Sequence, residues 1–192
     1  MLKVCCLTRN YGTIYAGPCL YAQNLIDGLA EKCDVTVITP DRTKSNGSAR
    51  MIFVDEPKDW RQATWIILGR TFSKRLKELL KKESFDVVHF LNSLDAMMYN
   101  GKDFVVTVNG YHFAESSWNP KYYWKTYPVD WYVRYFYYNI GKFFEKRTLK
   151  RAKHIIAVSG YIRNSIIRNY GIPEDKVTMI HIGYWGGENE AG

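Results

Sequence analysis

The stretch KHIIAVSGYIRNSIIRNYGIPEDKVTMIHIG, residues 153–183, decides which fold the sequence predicts. It begins with a short apolar run, residues 154–158, of the kind that is buried in a parallel sheet. Ser159 then follows as a helix N-cap, and Gly171 marks the end of the helix that it starts. A second apolar run comes after a proline and an acidic turn, at residues 177–180. The stretch is therefore predicted to be one complete β-α-β unit.

The rest of the chain alternates the same two patterns. Apolar residues recur at helical spacing over about 18–32 and 59–82, and the second of these helices is predicted to break near Gly69. Further short strands are predicted at residues 2–8, 35–39, 51–54, 86–90 and 103–108. Connections of this length between short apolar runs are typical of parallel crossovers. The predicted fold class is α/β, with one doubly wound parallel sheet.

Length and composition fit one such domain. The chain has 192 residues, of which 46% are hydrophobic and 24% charged, so it is neither a disordered nor a fibrous sequence. No run approaches the roughly 20 apolar residues that a membrane span needs, and the start does not resemble a signal peptide. The four cysteines include no Cys-x-x-Cys and are expected to be core thiols. A reducing, cytoplasmic location is expected from them.

A doubly wound sheet binds its ligands at the carboxyl ends of its strands, so the loops there hold the candidate site. Gly17 follows the first strand and directly precedes a helix, where a backbone can approach a phosphate closely. An ordinary turn glycine is the alternative interpretation. A nicotinamide cofactor is not indicated, because the chain has no G-x-G-x-x-G. We expect Gly17, Asn109 and Ser159 to lie at the same edge of the sheet.

Five further motifs stand in a fixed order along the chain: AG at 16–17, LA at 29–30, VTVIT at 35–39, DVVH at 86–89 and VVTVNG at 105–110. Together with the stretch at 153–183, their order and spacing resemble the N-terminal, acceptor-side domain of retaining glycosyltransferases of the GT-B fold, the group-1 or family-4 type. The similarity covers most of residues 1–185. It implies a Rossmann-like sheet that forms one half of a two-domain enzyme.

The resemblance implies a division of labour between two domains. Residues 1–185 are expected to form the N-terminal domain, and residues 186–192 a tail leading to an absent C-terminal domain that holds the nucleotide-sugar. The other partner is a glycan or lipid-linked acceptor. The nucleotide-sugar is a substrate, so no cofactor is expected, and the lack of an Asp-x-Asp motif fits a reaction without metal. The isolated chain is expected to be inactive.

The resemblance also implies site residues. Asn109 stands where the family usually has a histidine facing the donor sugar and the acceptor, and it is a candidate catalytic residue. An amide hydrogen-bonds a sugar hydroxyl but does not transfer protons near neutral pH. His112 is the second catalytic candidate, with a surface or core histidine as the alternative. Gly17 and Ser159 are expected to face the donor phosphates or the cleft.

Residues 118–144 are the most unusual segment, with thirteen aromatic residues in 27 positions and basic residues between and after them. Such a mixture favours the boundary between lipid and water. Tyr122, Tyr123, Trp124 and Trp131 are therefore candidates for an acceptor or membrane surface, and the chain could attach peripherally to an anionic membrane. The alternative is a helix whose aromatic residues pack on the sheet or on the absent domain, with an inward stripe of Trp131, Tyr135, Tyr138 and Phe143.

The net charge of +8 calls for an anionic partner. Nucleic acid is not expected, because the chain has no helix-turn-helix pattern, zinc spacing or RNP-like strand. Two functions remain open. The first is the acceptor-side domain of a glycosyltransferase, and the second is a non-catalytic module of the same fold that binds a glycan, a lipid or a partner chain. Asn109 and the absent half favour the second, whereas the resemblance favours the first.

Overall fold

The computed structural model describes residues 1–9, 11, 17–42, 48–55, 64–109 and 128–182, with the backbone alone at 18, 64, 65 and 128–138. Seven strands in these ranges form one sheet: β1 Lys3–Leu7, β2 Asp34–Thr39, β3 Arg50–Phe53, β4 Val87–Phe90, β5 Phe104–Val108, β6 His154–Ala157 and β7 Val177–Met179. Their order is β3-β2-β1-β4-β5-β6-β7, and every neighbouring pair is parallel. The predicted doubly wound parallel sheet is confirmed.

Five α-helices connect these strands in the described part of the chain: α1 Gly17–Ala30, α2 Thr64–Leu80, α3 Ser93–Ala96, α4 Pro128–Arg151 and α5 Gly160–Tyr170. A 3-10 turn, Glu174–Lys176, precedes β7. The short helix α3 has no counterpart in the sequence prediction. None of the described helices combines the length and the hydropathy that a membrane crossing requires.

The β-α-β unit of residues 153–183 forms as predicted. The Ser159 side chain caps α5 by accepting a hydrogen bond from the backbone N–H of Ile162 at 3.2 Å. Gly171 ends the helix in the left-handed conformation, at φ 62°, and its N–H donates to the carbonyl of Ile167. Glycine suits this position because a side chain there would strain the backbone. Residues 183–192, including the predicted tail, lie outside the described residues.

The two faces of the sheet carry separate cores, which follow from the alternation of side chains along each strand. In β1, Cys5 and Leu7 point into the larger core, which also contains apolar residues of α2, α4 and α5. Val4 and Cys6 point to the other face and pack with residues of α1. Burial raises the pKa of Cys6 to about 12, so this thiol stays protonated at neutral pH. The cysteines of β1 are core residues, as expected.

The predicted break near Gly69 is wrong, because α2 runs through this residue without interruption. A Cβ built on Gly69 would lie 3.2 Å from Cγ of Met98, just after α3. Glycine is thus used here for the close approach of two segments. The presence of a glycine in a helical pattern does not by itself distinguish a helix break from a close approach of two segments.

A buried carboxylate joins three of the helices. Glu145 of α4 is fully buried and accepts hydrogen bonds from the Ser93 hydroxyl at 2.7 Å and from the Tyr170 hydroxyl at 2.6 Å. Ser93 begins α3 and Tyr170 ends α5, so one carboxylate fixes the relative positions of three helices. Buried polar groups of this kind are costly when their partners are removed.

Replacing Glu145 by alanine should therefore lower the free energy of unfolding by about 3 kcal/mol or more, because two buried hydroxyls lose their acceptor. Glu145→Gln keeps one acceptor oxygen and should lose roughly half as much. Urea unfolding followed by circular dichroism measures both variants. A Glu145→Ala protein as stable as the parent would contradict the assigned network.

Candidate functional site

The order of the strands creates a crevice between β1 and β4. From β1 the chain proceeds to β2 and β3 on one side, whereas β4 and all later strands lie on the other side. The loops that leave the carboxyl ends of β1 and β4 thus diverge, and a ligand can enter between them. The pairing of these strands continues past β4, since the Leu91 N–H donates to the Leu7 carbonyl at 2.9 Å.

An ion pair bridges this crevice. Arg9, two residues after β1, donates from Nε to Oδ1 of Asp95 at 2.5 Å and from its backbone N–H to Oδ2 at 3.1 Å. Asp95 belongs to α3 and is fully buried. Burial raises the pKa of this carboxyl above its usual value, and the charge and hydrogen bonds of Arg9 act in the opposite direction. Nη2 of Arg9 is buried and has no hydrogen-bond partner in the described part of the chain.

Two amides connect the ends of β4 and β5 next to this ion pair. Asn92 caps α3, and its side-chain oxygen accepts from the backbone N–H of Leu94 at 2.9 Å. The Asn92 amide nitrogen approaches Oδ1 of Asn109 at 3.5 Å, and Asn109 donates from Nδ2 to the Leu91 carbonyl at 3.0 Å. Asn109 therefore already uses part of its hydrogen-bonding capacity within the protein.

A second chain of hydrogen bonds runs from the sheet to Tyr21 of α1. His89 of β4 shares a hydrogen bond of 2.8 Å with the Thr107 hydroxyl, and the Tyr21 hydroxyl lies 3.2 Å from the same oxygen. Burial lowers the pKa of His89 to about 4, so the ring is neutral at pH 7. Tyr21 and His89 also line an open groove of about 380 Å³, which lies between α1 and residues of β4, of β6 and of the segment after β7.

The structure brings some of the predicted site residues to one edge. Asn109 and Ser159 follow β5 and β6, and Gly17 begins the helix after β1, so all three lie at the carboxyl edge of the sheet. A Cβ added to Gly17 meets no described atom within 4 Å, so packing does not require a glycine there. The Ser159 oxygen is engaged as the cap of α5.

Other predicted site residues lie where the structure describes no side chain. His112, Tyr122, Tyr123 and Trp124 lie outside the described residues, and Trp131 belongs to the backbone-only part of α4. The alternative of an inward aromatic stripe is wrong at Phe143, whose side chain is 62% exposed. The other members of that stripe belong to the backbone-only part of α4.

Sequence reasoning missed Arg9, Asn92 and Asp95. The signal was present in part: Asn92 directly follows a strand, and an acidic residue three positions later is common in the first turn of a helix. Which basic residue pairs with that acid is decided by the parallel register, since Arg9 and Asp95 are 86 positions apart. No local pattern encodes a contact of this separation.

The crevice offers hydrogen bonds and fixed charge, and no described side chain in it is arranged for proton transfer at neutral pH. Its amides can bind hydroxyl groups, and the guanidinium can attract an anion. Among the described residues, no group of three or more His, Cys, Asp or Glu side chains is arranged to hold a metal ion. A reaction without metal or cofactor stays a prediction.

A Rossmann-like sheet with a polar crevice at its switch point defines a ligand-binding α/β domain. The family model of Glycosyltransferase Family 4 matches residues 17–184. Because this match covers most of the sequence, the chain belongs to that family of glycosyltransferases. No curated protein sequence matches the chain significantly.

Several solved structures share the fold. Sucrose-phosphate synthase from Thermosynechococcus elongatus has a TM-score of 0.63 at 14% identity, over 94% of this chain and 48% of its own. WaaG, a glycosyltransferase involved in lipopolysaccharide biosynthesis, has a TM-score of 0.59 at 14% identity, over 92% and 44%. A ugt transferase from Siraitia grosvenorii in complex with UDP has 0.52 at 11%, over 100% and 53%. The chain thus spans about half the length of these GT-B proteins.

The ion pair of the crevice yields a stability prediction. Asp95→Ala should lower the free energy of unfolding by about 3 kcal/mol, because it leaves the partly buried Arg9 guanidinium without its counter-charge. The matched control is Asp86→Ala, which removes an exposed carboxylate that accepts a single hydrogen bond from the Lys3 N–H. The control should cost about 1 kcal/mol or less. Equal losses in chemical unfolding would contradict the buried ion pair.

His89 makes stability depend on pH. Its folded pKa of about 4 lies below its ordinary value of 6.5, so only the unfolded chain binds the proton between these values. Stability should therefore fall as the pH is lowered from 6.5 towards 4, with a contribution of about 2 kcal/mol lost by pH 5. Urea unfolding at pH 7 and pH 5 should show a smaller loss in His89→Asn than in the parent or in the control His154→Asn. An unchanged pH dependence in His89→Asn would refute the assignment.

Proposed function

We propose that this chain is the acceptor-side domain of a retaining glycosyltransferase, which moves a sugar from a nucleotide-sugar donor to a glycan or lipid-linked acceptor. The single observation that carries the proposal is the family match over residues 17–184. The crevice between β1 and β4 supports it, because amides and a fixed guanidinium suit a ligand rich in hydroxyl groups. The UDP bound to the Siraitia grosvenorii transferase supports a nucleotide as the donor's leaving group.

In this proposal the domain contributes binding and orientation. Asn109 keeps one amide hydrogen and one lone pair for an acceptor or donor hydroxyl after its bonds to Leu91 and Asn92. Gly17 leaves room for a phosphate at the start of α1, where the helix dipole favours an anion. A second domain would hold the nucleotide, and the developing charge on the diphosphate would be stabilised electrostatically.

A non-catalytic module is the second candidate function. It is favoured by Asn109, whose side chain bonds to the protein and does not titrate near pH 7. Such a module would bind a glycan, a lipid or a partner chain without transferring sugar. A reading frame that continues beyond residue 192, or a neighbouring one that encodes a nucleotide-sugar domain, would favour the enzyme. A cytoplasmic location and the absence of a nucleic-acid partner remain part of the proposal.

The proposal predicts binding without turnover. With labelled nucleotide-sugars, residues 1–192 alone should transfer no sugar, because the proposal assigns the nucleotide to a second domain, yet they should bind an acceptor in saturation-transfer NMR against a panel of oligosaccharides. Asn109→Leu removes the amide that is assigned to a sugar hydroxyl, and it should weaken that binding at least about tenfold, the equivalent of ~1.4 kcal/mol. Gly17→Ala is the control, since it adds a single methyl group in open space at the position assigned to the donor phosphate.

Two results would contradict parts of the proposal. Robust transfer by the isolated chain would show that the nucleotide needs no second domain. Failure to restore transfer with a candidate nucleotide-sugar domain, together with retained glycan binding, would favour the non-catalytic module. Melting temperatures verify that both variants are folded, so that lost binding reports on the site.

A further inference from the structure

The outward surface of α4 combines basic and apolar side chains. We call it the α4 basic face, and it comprises Ile140, Lys142, Phe143, Lys146, Arg147, Lys150 and Arg151. On a helical wheel these residues share one half of the helix, and the opposite half is buried against the domain. From 140 to 151 the face extends for about 17 Å along the helix. It is therefore a compact patch within the described part of the chain.

No described carboxylate neutralises this face. Between residues 139 and 151 the only acidic residue is Glu145, which is buried on the opposite side of the helix. None of the ion pairs among the described residues includes a side chain of the face. Arg151 is half-buried and donates to the Tyr99 carbonyl and to the Asn100 amide oxygen, whereas the other basic residues are exposed. Over residues 139–153 six cations stand against one acid, a net charge of +5.

The centre of the face is apolar and faces outward. The Phe143 side chain is 62% exposed and that of Ile140 is 44% exposed. The Phe143 ring stacks edge-to-face on Phe144, with centroids 5.6 Å apart, and Phe144 in turn packs on the cluster around Met97. An open depression of about 440 Å³ lies between Phe143 and four of the basic residues. Phe143 is thus exposed, packs on Phe144, and is surrounded by basic side chains that form no ion pair with a described carboxylate. Such a surface suits a partner that is apolar inside and anionic outside.

We propose that the α4 basic face docks on an anionic lipid bilayer, with Phe143 and Ile140 in the interfacial layer and Lys146, Arg147 and Lys150 against lipid phosphates. A bilayer of anionic lipids has phosphates at its surface and an apolar layer directly beneath them, so it can contact the basic side chains and Phe143 at the same time. The inference deepens the proposed function by favouring a lipid-linked acceptor. Lipid binding itself requires no sugar transfer, so it can fail or succeed independently of the enzymatic proposal.

Co-sedimentation with vesicles tests the docking surface. The chain should pellet with phosphatidylcholine vesicles that contain phosphatidylglycerol, and should not pellet with pure phosphatidylcholine. Raising the salt concentration should release it, because screening shortens the reach of surface charges to about 3 Å at 1 M ionic strength. Binding that is equal for the two vesicle types, or absent from both, would overturn the proposal.

Two double variants with the same charge change distinguish binding through this face from binding through the net charge of the protein. Lys146→Glu combined with Lys150→Glu should weaken binding at least about 25-fold, at roughly fivefold for each cation removed. The matched control is Lys74→Glu combined with Lys77→Glu, at two exposed lysines of α2. This variant has the same net charge as the first, and it should bind the vesicles far more tightly. Equal weakening by the two pairs would show that net charge alone drives binding, and would overturn the assignment.

The apolar centre has its own control. Phe143→Ala should weaken vesicle binding about tenfold through lost apolar burial, whereas Tyr161→Ala on α5, which removes an aromatic side chain that is 72% exposed, should leave it unchanged. Melting temperatures verify that each variant is folded. Competition between single-stranded DNA and anionic vesicles tests whether the face prefers nucleic acid to lipid. Tighter binding to the oligonucleotide than to anionic vesicles would overturn the lipid assignment.

Discussion

The parallel pairing of β1 with β4 is the constraint on which the rest of the structure depends. Because β2 and β3 lie on one side of β1 and β4 lies on the other, the loops that follow β1 and β4 diverge at one edge of the sheet, and a crevice opens between them. Arg9 and Asp95 face each other across it only because this register holds. A buried charge needs its partner in place, so the ion pair in turn stabilises the register that created it.

The polar groups near the crevice also serve the architecture. Asn109 joins the ends of β4 and β5, Asn92 caps α3, and the carboxylate of Glu145 connects α3 to α4 and α5. A side chain that is held by its neighbours presents its remaining hydrogen-bonding groups in a fixed direction. This is the preorganisation that binding and electrostatic catalysis require.

Helix α4 has two chemically opposite sides. Its inner side places Glu145 against Ser93, at the start of the helix that borders the crevice. Its outer side carries Phe143 and basic side chains that form no ion pair with a described carboxylate. In the proposed arrangement one rigid helix therefore links a membrane surface to the ligand crevice, which would hold a lipid-linked acceptor near the bilayer. The family match and the fold are independent of this link.

The sequence by itself determined the order of the strands along the chain, the parallel sheet and the family, because apolar periodicity, Ser159 and Gly171 act over a few residues. It also indicated which strand ends carry the site. Local patterns misjudged Gly69 and missed Asp95, because a close approach to Met98 and an ion pair 86 positions apart exist only in the folded chain. The direction of Phe143 was likewise decided by tertiary packing, since its neighbour Phe144 occupies the inward position. Long-range register and packing, which no short window encodes, decided what the crevice and the α4 basic face contain.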